Sequence, residues 1–191
     1  MELARESDEQ LMQRVAAGQR EPLSILLRRY ANPLLTFIRR MNGDHHKSED
    51  LFQEVFLAVW SSRRRYRFPK LFRSWLFGIA VNKCRAEFRS RDEYYFSADS
   101  PAFVATSPGP TEGAIAVETA TLMEEAVMQL PPQQRSVVVL KLWNNFPYRE
   151  IAKVLNRTES TVRSNMFHAL ESLRKYLEPR VRYQPSDFGK E

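Results

Sequence analysis

Residues 148–177 read YREIAKVLNRTESTVRSNMFHALESLRKYL, and the fold class is decided by this stretch. Ile151, Ala152 and Leu155 fall on one face of a short helix. Asn156 is one of the few residue types besides glycine that tolerates the left-handed conformation of a tight turn. Thr158 has the side chain to cap a following helix. On that helix Val162, Met166, Ala169, Leu170, Leu173 and Leu177 recur at spacings of three and four, an apolar stripe to be buried. The other side of its first turns carries Ser160, Arg163, Ser164, Phe167 and His168. Short helix, tight turn and long helix form a helix-turn-helix, whose second helix enters the major groove of DNA. Small Ala152 at the crossing allows the two backbones to approach. Arg163 offers two parallel donors to a guanine, and Phe167 is an apolar side chain on a polar face, suited to a thymine methyl. The bland alternative is an αα-hairpin with a solvated polar face.

Upstream of this motif the pattern stays helical, with further helices expected at about 115–129 and 132–143. The run Val137-Val138-Val139-Leu140 is strand-like alone, but it sits between helix-start and helix-end signals and reads as helix. Residues 97–113, SADSPAFVATSPGPTEG, hold three prolines, two glycines and five serines or threonines. Such a composition does not sustain a helix, and 97–114 is expected to be a flexible linker. N-terminal to it, 8–29 is amphipathic with Gly18 as an interruption, and 30–42 ends at Asn42-Gly43. Ser48 is placed to cap a third helix, and Trp75 to about Phe88 make a fourth. The expectation is an all-α chain: one helical domain over 8–96, a second over 115–178, and a tail at 179–191.

Charge follows the same division. Of the 29 Lys+Arg and 23 Asp+Glu, residues 1–96 hold 18 and 12, residues 97–117 hold none and two, and residues 118–191 hold 11 and nine. Both helical blocks are net basic, which makes a polyanion partner plausible. The single cysteine, Cys84, excludes an internal disulfide and any cysteine-rich zinc site. The chain has no run of eighteen uncharged apolar residues, and MELARESDEQ lacks the layout of a signal peptide. A cytoplasmic protein without membrane insertion is expected. His45-His46 beside Asp44 reads as a solvated loop rather than a metal site, and Cys84 as a small packed residue. No phosphate-cradle, nucleophile-elbow, H-E-x-x-H or C-x-x-C motif occurs, so no catalytic site, metal or cofactor is expected.

The N-terminal block shows two different faces. Between Arg63 and Arg91 lie ten basic residues and one acid, interleaved with six aromatics, of which Trp75, Phe77 and Phe88 read as core. Cations that follow phosphates, mixed with rings on which bases stack, suit single-stranded nucleic acid; a solvated basic surface is the alternative. The preceding helix differs. Leu51, Phe52, Val55, Phe56, Val59 and Trp60 make its apolar stripe, while Asp50, Gln53, Glu54 and Leu57 lie opposite. An acidic row with one exposed leucine repels phosphate and fits a protein partner with a basic surface.

These residues resemble a family. The run Glu49–Trp60 (EDLFQEVFLAVW) looks like the core-polymerase-binding segment of bacterial sigma factors, and Phe72–Arg85 (FRSWLFGIAVNKCR) like the promoter-melting segment that follows it. Leu130–Arg135 (LPPQQR) and Tyr148–Arg174 look like region four. Regions two and four alone, with a short linker, are similar to the extracytoplasmic-function (ECF) group of the sigma-70 family. The resemblance implies a non-enzymatic subunit with core RNA polymerase and promoter DNA as partners and an anti-sigma protein as its control. It implies that Asp50, Gln53 and Glu54, with Leu57 beside them, face the clamp helices of the polymerase largest subunit. Asn82 matches the asparagine that reads an unstacked minus-ten base, with Tyr66, Arg67, Phe68, Lys70, Arg73 and Lys83 around the same strand. Arg163, Ser164, Phe167 and His168, flanked by Ser160, match positions that read the minus-thirty-five element. Gly78 and His168 stand where arginine is frequent, Asn165 where a basic residue is common, and Asn156 where the turn usually has glycine. Two other readings compete: a dimeric helix-turn-helix regulator acting without polymerase, and a serine recombinase, which would need strands before residue 100.

Overall fold

A computed structural model describes residues 3–95 and 114–181. Among the described residues eight α-helices form: α1 (Asp8–Ala16), α2 (Glu21–Asn42), α3 (His45–Ser62), α4 (Phe72–Tyr95), α5 (Ala114–Met128), α6 (Pro132–Leu142), α7 (Tyr148–Leu155) and α8 (Glu159–Val181). Short 3-10 turns lie at Leu3–Arg5 and Arg63–Arg65. The described residues contain no strand, so the recombinase reading has no catalytic sheet among them. Most of the expected linker and tail, 97–113 and 182–191, lies outside the described residues.

The N-terminal block is α1 to α4. A capping box starts α1: Ser7 Oγ accepts the Gln10 N–H at 3.2 Å, and Gln10 Oε1 accepts the Ser7 N–H at 2.9 Å. Its first turn then ties two other helices. Asp8 accepts from the Tyr30 hydroxyl and from Arg29, each at 2.5 Å. Burial and this bond to Asp8 both push the Tyr30 hydroxyl pKa up, so the ring stays a neutral donor. Glu9 accepts the backbone N–H of Phe72 at 3.1 Å, satisfying a donor in the first turn of α4.

Two sequence expectations are corrected here. The break near residue 30 does not occur: α2 runs without interruption through Pro33. A proline in a helix interior costs about 3 kcal/mol. Leu26, Tyr30, Leu34, Phe37, Ile38 and Met41 form one buried stripe across it, each contributing about 1.5–3 kcal/mol, so packing wins. Gly43 ends the helix in the left-handed conformation at φ 76°, its N–H on Arg39 O at 2.8 Å. Ser48 is not a cap. Asp44 accepts the Lys47 N–H at 3.1 Å and starts α3 earlier, which draws His45 and His46 out of the expected loop into the first turn. Ser48 is buried, and its hydroxyl donates to Asp44 O. The fourth helix is also longer than expected at both ends.

The C-terminal block, α5 to α8, has Arg135 at its centre. This side chain is 7% exposed and donates to Met128 O at 2.5 Å and Leu130 O at 3.1 Å, closing the α5–α6 turn, and to Met41 O of α2 at 2.6 Å. The two blocks therefore pack directly on each other, with α7 against α4 and α6 against α2. Phe146 is fully buried and meets Phe77 edge-on at 5.0 Å, so one apolar core passes through both blocks.

Candidate nucleic-acid and protein interfaces

The turn between α7 and α8 is built as its residues require. Asn156 takes the left-handed conformation at φ 52°, and the Arg157 N–H returns to Ala152 O at 2.9 Å. Thr158 Oγ1 accepts the Thr161 N–H at 3.2 Å and caps α8. Val162, Met166, Ala169 and Leu173 are buried, which turns Ser160, Arg163, Ser164, Phe167 and His168 outward together. Phe167 is 66% exposed. Arg163 Nε and Nη2 both donate to Glu159 Oε1, at 3.1 and 2.6 Å, and the guanidinium lies 4.6 Å from the Tyr148 ring centre. Glu159 and Tyr148 thus hold the guanidinium, two contacts that the sequence reading did not single out. Leu170, expected in the buried stripe, is 51% exposed. It lies one residue past Ala169, about 100° round the helix, and misses the packed seam.

On α3, Asp50, Gln53, Glu54 and Leu57 are all exposed, Leu57 at 67%. Glu54 Oε2 accepts from Lys83 Nζ of α4 at 2.7 Å. Beside this row an apolar groove of about 360 Å³ is lined by Leu23, Leu27, Phe52, Phe56, Leu57 and Trp60. Phe52 and Trp60, expected inside the stripe, are half-buried and form its wall, while α2 contributes Leu23 and Leu27. The amphipathic pattern placed both leucines toward the core, and only the packing shows that they border solvent.

The basic-aromatic segment divides in two. Arg67, Phe68 and Lys70 are exposed between α3 and α4, and Asn82 is exposed on α4 with Lys83 half-buried beside it. Tyr66 does not belong with them. It is 5% exposed, packs against Trp75 at 5.3 Å and donates its hydroxyl to Lys70 O, so it shapes the loop instead of offering a face to a base. Arg73 is held elsewhere too: it donates to Asn144 O, with its guanidinium 3.9 Å from the centre of the Phe146 ring. Further along α4, burial holds the Arg85 guanidinium below its ordinary pKa range, and Arg157 and Arg89 add like charge. Cys84 is buried, and its thiol is pushed up to about 12 by desolvation, leaving it unreactive. Among the described residues no group of three His, Cys, Asp or Glu could hold a metal ion.

Two family models match the chain, Sigma-70 region 2 over residues 26–94 and Sigma-70, region 4 over residues 120–173. The RNA polymerase sigma-H factor of Pseudomonas aeruginosa is 26% identical over 192 residues, 94% of this chain and 98% of that protein. The ECF RNA polymerase sigma factor SigW of Bacillus subtilis is 25% identical, over 87% of this chain and 94% of that one. The solved structure of CnrH in complex with the cytosolic domain of CnrY aligns with a TM-score of 0.72 at 23% identity, covering 91% of this chain and 99% of that chain. The sigma factor RpoE from Bartonella quintana, solved with the anti-sigma factor NepR, aligns at 0.71 and 21%, covering 83% and 98%. Both structures share the fold. Region 2 on the N-terminal block and region 4 on the helix-turn-helix block define a sigma factor of the sigma-70 family. Its relatives place it in the ECF group, and the chain belongs there.

Proposed function

We propose that this chain is a non-enzymatic specificity subunit, acting in the cytoplasm, that binds core RNA polymerase and directs initiation at a particular set of promoters. Asp50, Gln53, Glu54 and Leu57 meet the basic clamp helices of the polymerase largest subunit, with electrostatic complementarity setting the fit. Ser160, Arg163, Ser164, Phe167 and His168 read the minus-thirty-five duplex from the major groove. Asn82 and Lys83, with Arg67, Phe68, Lys70 and Arg73, capture the opened minus-ten strand, and Tyr66 supports their loop from beneath. The region 2 domain occupies 8–96 and the region 4 domain 115–178, joined by the linker. No cofactor is proposed. An anti-sigma protein is proposed as its control; RpoE of Bartonella quintana, which shares the fold, was solved in complex with the anti-sigma factor NepR. No described helix is long and apolar enough to cross a membrane.

The observation that carries this reading is the combination of an exposed Arg163–Phe167 face on a capped second helix with a separate acidic-apolar face on α3. A DNA regulator working alone has use for the first and none for the second. Reconstitution with core polymerase, followed by sequencing of the 5′ ends of transcripts made from genomic DNA, tests it. A defined set of start sites absent from core enzyme alone is expected. Operator binding by the chain as a dimer, with no change in polymerase start sites, would refute it.

A further inference from the structure

We propose that Glu159 is a positioning residue that sets the base specificity of Arg163. It holds one edge of the guanidinium, which leaves the end-on edge to read a guanine and removes the gain of moving to a phosphate. The proposal rests on the reading of the first turns of α8 as the major-groove surface.

A guanidinium is a planar fork with five N–H donors. Arg163 Nε and Nη2 both donate to Glu159 Oε1, at 3.1 and 2.6 Å, which takes up the side edge of the fork. Two donors remain on Nη1 and one on Nη2. One from each nitrogen makes a parallel end-on pair that matches O6 and N7 of a guanine. A second contact comes from another helix: the guanidinium carbon lies 4.6 Å from the ring centre of Tyr148, the first residue of α7. Tyr148 also meets Lys141 Nζ at 5.0 Å, so changing it would disturb two cations, whereas Glu159 serves Arg163. An acid in the first turn of α8 suits the helix dipole wherever its side chain points. The dipole does not ask for two hydrogen bonds from Arg163, and those bonds give the carboxylate its further role. A phosphate that takes the side edge must displace Glu159, one anion for another, with little net gain. A guanine bound end-on leaves Glu159 in place, and its contact is gain throughout. Without the carboxylate, Arg163 becomes a free cation for any phosphate within its reach.

The pair is open to solvent, with the Arg163 and Glu159 side chains 60% and 41% exposed, so its removal costs the fold little. Holoenzyme reconstituted from the full chain and core polymerase is titrated with promoter fragments that differ at single base pairs of the upstream element. Arg163→Ala marks the pair that this side chain reads. At that pair Glu159→Ala is expected to lower discrimination at least fivefold, while fragments mismatched there bind more tightly. The slope of log K against log salt should steepen by about one, the mark of one added phosphate contact. Glu159→Gln keeps an acceptor oxygen at the same reach and should restore most of the discrimination. In the Arg163→Ala background, Glu159→Ala should leave discrimination unaltered. A role confined to the helix N-terminus gives a different pattern: a lower melting temperature, equal weakening on every fragment, and no rescue by Glu159→Gln. That pattern would overturn the proposal. Discrimination lost with Arg163→Ala yet kept with Glu159→Ala would also overturn it and leave the sigma-factor reading standing. If no holoenzyme forms, the sigma-factor reading falls, and the same variants are compared on duplexes that the full chain enriches from a random pool. Loss and rescue there as above would uphold the role of Glu159, and their absence would overturn it.

Discussion

Charge reversal of Asp50 and Glu54 to lysine separates the partner face from the fold. Both side chains are exposed, and neither packs into the core. Glu54 has one partner, Lys83 at 2.7 Å, in a pair whose side chains are 51% and 36% exposed. Exposed pairs of this kind contribute about 0.2–1 kcal/mol, so Asp50→Lys/Glu54→Lys should lower folding stability by about 1 kcal/mol at most. At an interface the scale differs. Truncating one member of a desolvated charge pair costs about 2–5 kcal/mol, and reversal adds repulsion from the partner's cations. Taking the lower end for each residue gives about 4 kcal/mol, and at 1.4 kcal/mol per tenfold the Kd for core polymerase should weaken by about a thousandfold. Thermal unfolding followed by circular dichroism measures the first quantity, and titration of labelled chain with core polymerase measures the second. Loss of binding with an unchanged melt is the expected pair of results. Unimpaired holoenzyme formation by the folded double variant would refute the assignment of this face.

Three further outcomes are expected. Arg163→Ala should cost about 1–3 kcal/mol at one base pair of the upstream element and relax discrimination there, measured by binding to a set of single-base promoter variants. An equal loss on every variant would make Arg163 a phosphate contact. Asn82→Ala holoenzyme should start poorly on duplex and show altered preference at one minus-ten base that persists on a premelted bubble, where the unpairing cost of a few kcal/mol is already removed; unchanged preference on both templates would remove Asn82 from the site. Arg135→Ala should destabilise the chain by about 3–5 kcal/mol in urea unfolding, because three buried carbonyl oxygens lose a charged donor at 2.5–3.1 Å. A loss below 1 kcal/mol would show that water replaces the guanidinium.

Helix type and order were legible because apolar spacing and caps agree along most of the chain: Asn156 and Thr158 marked the recognition turn to the residue. The failures have local causes. Pro33 lay inside the expected 30–42 helix; what periodicity missed is that this helix begins at Glu21, because one buried stripe from Leu26 to Met41 runs across residue 30. Asp44 displaced Ser48 as the cap because two acceptors lay within one turn of each other and both spacings were acceptable. Tyr66 reads as a stacking ring from composition, yet only the fold shows its hydroxyl turned to Lys70 O. The packing of one block on the other left almost no trace in the sequence. Arg73, Arg135 and Asn144 spend their donors on backbone carbonyls, which carry no side-chain signature.

Burial sorts the cations of this chain into two classes with different consequences. Lys83 and Arg163 are paired with Glu54 and Glu159 in contacts open to solvent, where exchanging a carboxylate for a phosphate or a base edge loses little. They are poised and exchangeable. Arg135 instead sits among carbonyl oxygens at 7% exposure, where its bond to Met41 O ties one block to the other. Arg73 stands between the two classes, half-buried on a contact that crosses from one block to the other. A nucleic-acid strand competing for Arg73 alone would meet that contact together with the Asn144 bond to Pro33 O and the Phe77–Phe146 packing.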